Sequence, residues 1–391
     1  MKQNLNIGLV GYKFMGKAHS FAYKNANLFF NLPVNIIMKS ICGRHEKPLK
    51  IACEQFGWES IETDWKKLIK RNDIDLIDVT TPPNFHKDIV IETAKEGKTV
   101  FCEKPLSITL KDSYEMLEAV EKYKVKHAIS FNYRKLPAIA FAKKLISENK
   151  IGNIYHIRAV YLQDWIINPD FPLVWRLQKN IAGSGSHGDL NAHLIDLAHF
   201  LVGDFDRVIG LNKTFIKERP LLEEQEDLTT GLVASNVSSK KGIVDVDDVT
   251  SFLCEFKNGV VGTFEATRFA TGRKNYQRFE VNGSKGSIVF NLERLNELEY
   301  YSSEDDISSQ GFRTINVTNN SHPYAGNFWP DGHIIGYGES FINEVADLVI
   351  SLNKGENPIP NFYDGIKSQE VLDAVSESIN SKKWIKVVYR G

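Results

Sequence analysis

The sequence predicts an α/β protein in two parts. Residues 1–132 read as a doubly wound parallel sheet, and residues 133–391 as an α+β domain with a large open, mainly antiparallel sheet. Three observations carry this. A chain of 391 residues, 42% hydrophobic and 25% charged, holds apolar material for two ordinary domains. Over the first third, short runs rich in Val, Ile and Leu alternate with helical patterns of roughly ten to fifteen residues, which is the rhythm of a parallel sheet. After about residue 150 the rhythm becomes longer runs of period two, broken by glycine-containing turns.

In chain order, residues 5–10 read as a buried strand, 11–16 as a turn, and a helix begins near Lys17. A strand over 34–42 precedes a helix over 47–56, stopped by Gly57. A short helix follows Thr63, then a strand over 75–80. Asn84 is a good N-cap for a helix ending before Gly97. A strand over 98–102, a helix over 110–123 and a strand over 126–131 complete a Rossmann-type domain. Residues 153–163 form a long strand candidate. Lys257-Asn258-Gly259 is a hairpin turn between runs 250–256 and 260–268. Runs 276–281 and 287–290 flank a second turn, and helices over 339–352 and 365–379 close the chain. Residues 218–248 are polar, lack aromatics, and read as a long excursion or mobile loop.

Composition excludes several classes. A formal net charge of -1, with no basic run longer than a pair, gives no electrostatic footprint for nucleic acid or an anionic membrane. Cys42, Cys53, Cys102 and Cys254 have no C-x-x-C spacing, so a reducing cytoplasm is expected and a disulfide framework is not. The N-terminus does not read as a signal peptide, and no apolar run is long enough for a membrane span.

The chemistry gathers at four places. The turn Gly11-Tyr12-Lys13-Phe14-Met15-Gly16 stands after the first strand and opens a helix, where a dinucleotide fingerprint belongs. Gly11 permits the tight turn, Gly16 permits close helix–sheet packing, and the helix N-terminus faces the pyrophosphate. Lys13 replaces the middle glycine. At the end of the second strand, Gly43 and Arg44 stand where an NAD enzyme carries a ribose-binding acid. Gly43 leaves room for a 2′-phosphate and Arg44 is a partner for it; the alternative is that Arg44 stacks on adenine or faces solvent. NADP should therefore at least be tolerated. Thr80-Thr81-Pro82-Pro83-Asn84-Phe85-His86 and Glu103-Lys104-Pro105 follow the next two strands and reach the same carboxyl edge. Thr80, Thr81, Pro82, Asn84, His86, Glu103 and Lys104 are expected beside the cofactor, with Lys104 pointing at bound ligand.

The fourth place is residues 182–199, where a Gly/Ser-rich loop runs into a helical pattern. Asp189, His193 and Asp196 stand at i, i+4 and i+7, within roughly 60° of one another on a regular helix. A carboxylate one turn from a histidine fixes its tautomer and raises its basicity, which suits a proton acceptor. A polar surface stripe is the bland alternative. A metal set of His187, Asp189 and His193 is a remote one, and no metal is expected.

These runs together resemble the Gfo/Idh/MocA oxidoreductases, the group of glucose–fructose oxidoreductase and inositol dehydrogenase. The resemblance spans nearly the whole chain: the glycine turn, Glu103-Lys104-Pro105 and the Asp189-x-x-x-His193 helix, in that order. The runs GYKFMGKAHS, FNYRKLPA, YLQDW, WRLQKNIAGSG and GYGESF are most similar to the branch of anhydrosugar and pyranoside dehydrogenases. The resemblance implies a cytoplasmic dehydrogenase oxidising a secondary hydroxyl of a cyclic sugar or polyol, with NAD or NADP as cofactor. It implies that Lys104 holds and polarises the hydroxyl, Asp189 orients the substrate, and His193 accepts the proton. Tyr133, Arg134, Gln163, Asp164, Trp165, Trp175 and Arg176 are expected pocket residues, since aromatics stack on sugar faces and polar groups read hydroxyls. An NAD-dependent glycosidase and a non-catalytic sugar or dinucleotide sensor are the alternatives. An open sheet is expected to pair with another subunit in a homodimer or homotetramer.

Overall fold

The computed structural model describes residues 2–222 and 237–390. Strand β1 (Gln3–Val10) leads through the glycine turn into α1 (Phe14–Phe29), which starts three residues before the expected Lys17. Then come β2 (Val34–Cys42), α2 (Glu46–Phe56), β3 (Ile61–Glu62), α3 (Trp65–Ile69) and β4 (Leu76–Val79). Next are α4 (His86–Lys95), β5 (Thr99–Glu103), α5 (Leu110–Lys122) and β6 (His127–Ser130). All six strands are parallel, in the order β3-β2-β1-β4-β5-β6. The order reverses between β1 and β4, which opens a crevice at their carboxyl ends. Asn84 is not the cap of α4: a 3₁₀ turn, Pro83–Phe85, intervenes and the helix starts at His86.

The second half begins with α6 (Pro137–Ser147) and β7 (Ile154–Leu162), followed by the short α7 (Lys179–Ala182), α8 (Ala192–Leu201) and β8 (Phe205–Lys213). The predicted excursion at 218–248 contains an antiparallel ribbon of β9 (Glu218–Leu222) and β10 (Val237–Ile243); residues 223–236 lie outside the described residues. Strands β11 (Val249–Phe256), β12 (Val261–Thr267), β13 (Tyr276–Gly283), β14 (Gly286–Asn291), β15 (Glu297–Ser302) and β16 (Arg313–Asn316) follow. Helices α9 (Tyr337–Asn353) and α10 (Phe362–Ser381) and strand β17 (Ile385–Lys386) end the chain. The sheet has nine strands in the order β16-β15-β14-β13-β7-β12-β11-β8-β17, and only the β7–β12 pairing is parallel.

One face of this sheet packs Phe205, Phe252, Phe256 and Phe264 against Leu194, Leu197 and Leu201 of α8 and Val371 and Val375 of α10. The other face leaves Leu211, Leu253 and Val261 exposed. The two C-terminal helices also serve the parallel sheet. Phe341, Ile342 and Val345 of α9 join the core of α1, β1 and β2, while Phe362 and Ile366 of α10 join the core under α4 and α5. The expected boundary between residues 132 and 133 falls inside a 3₁₀ turn, Asn132–Lys135, and the packing crosses it.

Candidate active site

A cavity of about 1000 Å³ lies between the carboxyl edge of the parallel sheet and the start of α8. On the first side its wall is built around a tight glycine turn. Gly11 has φ +112, and a Cβ there would meet Thr80 Oγ1 at 2.7 Å. A Cβ on Gly16 would lie 2.1 Å from the Gly11 carbonyl oxygen, so α1 seats directly on the turn. Thr80 Oγ1 donates to Gly11 O at 2.9 Å and locks β4 to that turn. Lys13, Phe14, Met15, Thr81, Pro82 and Asn84 line the same wall. Thr81 Oγ1 and Asn84 Oδ1 are buried without a hydrogen-bond partner among the described residues. Buried polar atoms are ordinarily satisfied, so orphans at a cradle of this kind fit a polar ligand. Glycine turn, close helix N-terminus, an orphan hydroxyl and an orphan amide oxygen together suit the dinucleotide.

Gly43 and Arg44 also line the cavity. A Cβ on Gly43 would strike the Tyr12 ring at 2.3 Å, so the glycine is required by Tyr12. The Arg44 guanidinium lies 5.8 Å over the Phe85 ring. His86 is not a cofactor contact. It is wholly buried, with ring nitrogens on the Thr81 and Leu106 carbonyls at 2.8 and 3.2 Å, and it ties the Thr80 loop to the turn after β5.

That turn presents Lys104. Its ammonium donates to the Asp189 carbonyl at 2.8 Å and to Asp189 Oδ1 at 3.2 Å. Behind it, Glu103 accepts from the Lys104 backbone N–H at 3.0 Å and meets His19 Nε2 at 3.0 Å. His19 Nδ1 lies 2.8 Å from Asp78. Burial works against a charge on His19, but the Asp78 and Glu103 carboxylates outweigh it and push the imidazole up to about 10. A buried imidazolium thus joins α1, β4 and the lysine turn.

Residues His187–Asn191 wind as a π-type turn before α8, which spoils the regular spacing assumed from sequence. Asp189 does not orient His193 by a hydrogen bond. Its carboxylate instead takes Arg268 Nη2 at 2.8 Å on Oδ2, and Lys104 at 3.2 Å and Arg176 at 3.6 Å on Oδ1. Burial opposes this charge, but the three cations hold the carboxyl well below the usual range. Asp196 is elsewhere: it grips Arg134 at 2.6 and 2.8 Å, and Arg134 also reaches Asp364 at 2.9 Å. Arg134 is therefore a buried structural ion pair and not a wall of the cavity, as sequence had placed it. Asp164 likewise binds Lys274 at 2.8 Å and the Gly272 N–H at 2.9 Å, outside the cavity wall.

His193 is buried, its ring centroid 4.5 Å from that of Tyr133, and its Nδ1 has no hydrogen-bond partner among the described residues. Burial and the Lys104 ammonium hold its pKa well below the ordinary 6.5, against the pull of Asp189. The imidazole is neutral with a lone pair available, the state a proton acceptor needs. Both nitrogens of His187 are engaged, by the Leu372 carbonyl at 2.9 Å and Asn191 at 3.2 Å. Tyr133, Gln163, Trp165, Trp175 and Arg176 line the far wall, as expected. Tyr161, Arg268, Asn275 and Tyr337 line it too and were not anticipated. Arg268 immediately follows an alternating strand, and a buried charge at a strand end was the only signal for it.

Residues 5–131 match the oxidoreductase family with an NAD-binding Rossmann fold, and residues 139–289 match the GFO/IDH/MocA C-terminal domain. The levoglucosan dehydrogenase of Pseudarthrobacter phenanthrenivorans is 43% identical over 387 residues, covering 98% of both chains. The crystal structure of an oxidoreductase domain protein from Kribbella flavida superposes with a TM-score of 0.92 at 44% identity, over 99% of this chain and 100% of that one. A levoglucosan dehydrogenase in complex with NADH and levoglucosan gives 0.93 at 42% identity, over 99% and 100%. The chain belongs to the Gfo/Idh/MocA family of NAD(P)-dependent oxidoreductases.

Proposed function

We propose that the protein oxidises a secondary hydroxyl of a cyclic anhydrosugar or pyranoside of the levoglucosan type, with NAD as hydride acceptor. The observation that carries this is the meeting of Lys104, Asp189 and a neutral His193 where the glycine-turn side and the α8 side of the cavity join. The nicotinamide, when bound, supplies the hydride acceptor. His193 takes the hydroxyl proton as the C–H pair departs and the carbonyl forms. The Lys104 ammonium stabilises the developing alkoxide, so no metal is needed. Asp189 stays ionised and holds Lys104 in place. Trp165 and Trp175 give the apolar surface on which a sugar ring stacks. The likeness to levoglucosan dehydrogenase supports this substrate class.

The test is a panel of levoglucosan, inositols and free aldoses, each with NAD and with NADP, followed by the absorbance of reduced nicotinamide. Turnover is expected to be best with levoglucosan or a near analogue. Accumulation of no reduced cofactor with any member would overturn the reading. The exposed sheet face with Leu211, Leu253 and Val261 supports self-association through that face. Light scattering should give a dimer or tetramer, and a monomer at working concentration would remove that part.

A further inference from the structure

Five residues on the substrate wall form one unbroken hydrogen-bond chain. Trp165 Nε1 meets Gln163 Oε1 at 3.0 Å, and Gln163 Nε2 meets Asn275 Oδ1 at 2.9 Å. Tyr161 Oη lies 2.8 Å from the same Asn275 oxygen, and Tyr133 Oη lies 2.9 Å from Tyr161 Oη. All five line the cavity. They come from the turn after β6, from β7 and the residues after it, and from the residue before β13. Asn275 is fixed in place by its backbone N–H, which donates to Glu293 Oε1 at 3.1 Å.

The direction of this chain follows from one group. An indole nitrogen donates and cannot accept. Gln163 must therefore turn its carbonyl to Trp165 and its amide nitrogen to Asn275. Asn275 must answer that amide with its carbonyl oxygen. The same oxygen faces Tyr161, so Tyr161 donates to it. A phenol has a single proton. With that proton committed, Tyr161 can only accept from Tyr133, and Tyr133 must donate. Reversing any link would set two donors or two acceptors against each other in a half-buried wall, where an unmet polar group still costs stability. The proton of Tyr133 is spent, and its oxygen retains only lone pairs. Burial pushes its phenol up to about 12, so it stays protonated across the working range.

We propose that this chain makes Tyr133 an acceptor-only group in the substrate site, and that Tyr161 and Asn275 are the positioning residues that set its polarity. The site then selects, at Tyr133, a ligand group that donates: a hydroxyl, over a fluoro, methoxy or keto group of similar size. The Tyr133 ring lies tilted against that of His193, centroids 4.5 Å apart, and His193 is itself an acceptor. The wall thus presents two neighbouring acceptors, which fits a ring bearing adjacent hydroxyls, one surrendering its proton and one donating to Tyr133. The ligand class rests on the sugar dehydrogenase reading above, but the polarity does not.

Two measurements separate these. Neutron diffraction from deuterium-exchanged crystals of the whole protein should place the Tyr133 deuteron toward Tyr161 and the Tyr161 deuteron toward Asn275. A Tyr161 deuteron directed at Tyr133 overturns the proposal, whatever the substrate. The functional arm compares kcat/KM for levoglucosan with that for its monodeoxyfluoro derivatives. In Tyr161→Phe the Tyr133 proton is released to face the ligand, so the preference for hydroxyl over fluorine at one non-reacting position should fall by at least about tenfold. Asn275→Asp keeps the acceptor oxygens and should retain the preference. A Tyr161→Phe enzyme that is slower but equally selective shows a merely structural role and overturns the proposal. Failure of levoglucosan to react at all counts against the sugar reading alone, and the neutron result still decides the polarity.

Discussion

The two halves of the cavity are built from different materials. The cofactor half is built from local sequence: a glycine turn, strand ends and the first residues of a helix, each within a short stretch. The substrate half is made of side chains that converge from β7, α8, the end of β12 and the start of β13. Its centre is one carboxylate shared by Lys104, Arg176 and Arg268. A tight backbone turn is spoiled by adding an atom, and a wall of paired side chains by removing one.

The sharpest way to break this contrast is to delete the proton path. Lys104→Ala and His193→Ala should each lower turnover by about 100-fold or more, the ordinary range for a lost acid–base partner. NAD affinity, measured by fluorescence titration, should change little, because the cofactor half does not depend on these side chains. Near-normal turnover in His193→Ala removes that residue from the mechanism. The opposite experiment adds one methyl group. In Gly16→Ala the new Cβ falls against the Gly11 carbonyl oxygen, a backbone atom that cannot swing aside. Overpacking of this kind costs about 1–3 kcal/mol, and NAD affinity should fall about tenfold. Unchanged NAD binding would show that α1 does not need its close seat on the turn.

The contrast also explains what the sequence showed and what it hid. Local chemistry was legible: strand, glycine turn and helix in register at residues 3–29, and Lys104 after its strand. Partnerships across the chain were not. Asp189 and His193 were found, but the inferred carboxylate–imidazole pair assumed regular helical phase, and the π-type turn at His187–Asn191 gave Asp189 to Lys104 and Arg268. Arg134 looked like a pocket residue because nothing local reveals that Asp196 and Asp364 neutralise it. The edge strand β16 escaped notice because it is four residues long and carries little apolar alternation, and Arg268 and Asn275 because their partners lie on other elements.

A finer break tests whether the two halves speak through Lys104. Its ammonium is one of the causes holding the His193 pKa down. The imidazole should then stay neutral well below pH 6.5, its ordinary value, and kcat/KM for the sugar should lose activity only on the acid side of that point. In Lys104→Met that ammonium is gone while burial remains, so the proton returns at higher pH. NMR titration of the His193 ring in both proteins reads this without needing turnover. An unmoved titration would mean that burial alone sets the base.

The smallest expected effect lies at Arg44, a side chain of the cofactor half. The sequence reading reserved Gly43 for a 2′-phosphate and Arg44 as its partner. The structure gives the glycine a different cause, because the Tyr12 ring fills the space a Cβ would take. The guanidinium rests 5.8 Å over the Phe85 ring, a flat cation at the cavity wall. Its open face suits stacking on the flat adenine, which NAD and NADP share. A stacked cation contributes about 0.5–1 kcal/mol at an exposed site, or roughly 2- to 5-fold in affinity. Arg44→Ala should therefore weaken NAD and NADP alike within that range and leave the ratio of their catalytic efficiencies unmoved. A charge-assisted bond to phosphate would instead contribute about 1.5–3 kcal/mol, and only to NADP. A selective loss of NADP by more than about tenfold, with NAD untouched, would restore the phosphate role to Arg44 and show that the cofactor half, like the substrate half, reads its ligand through a paired charge.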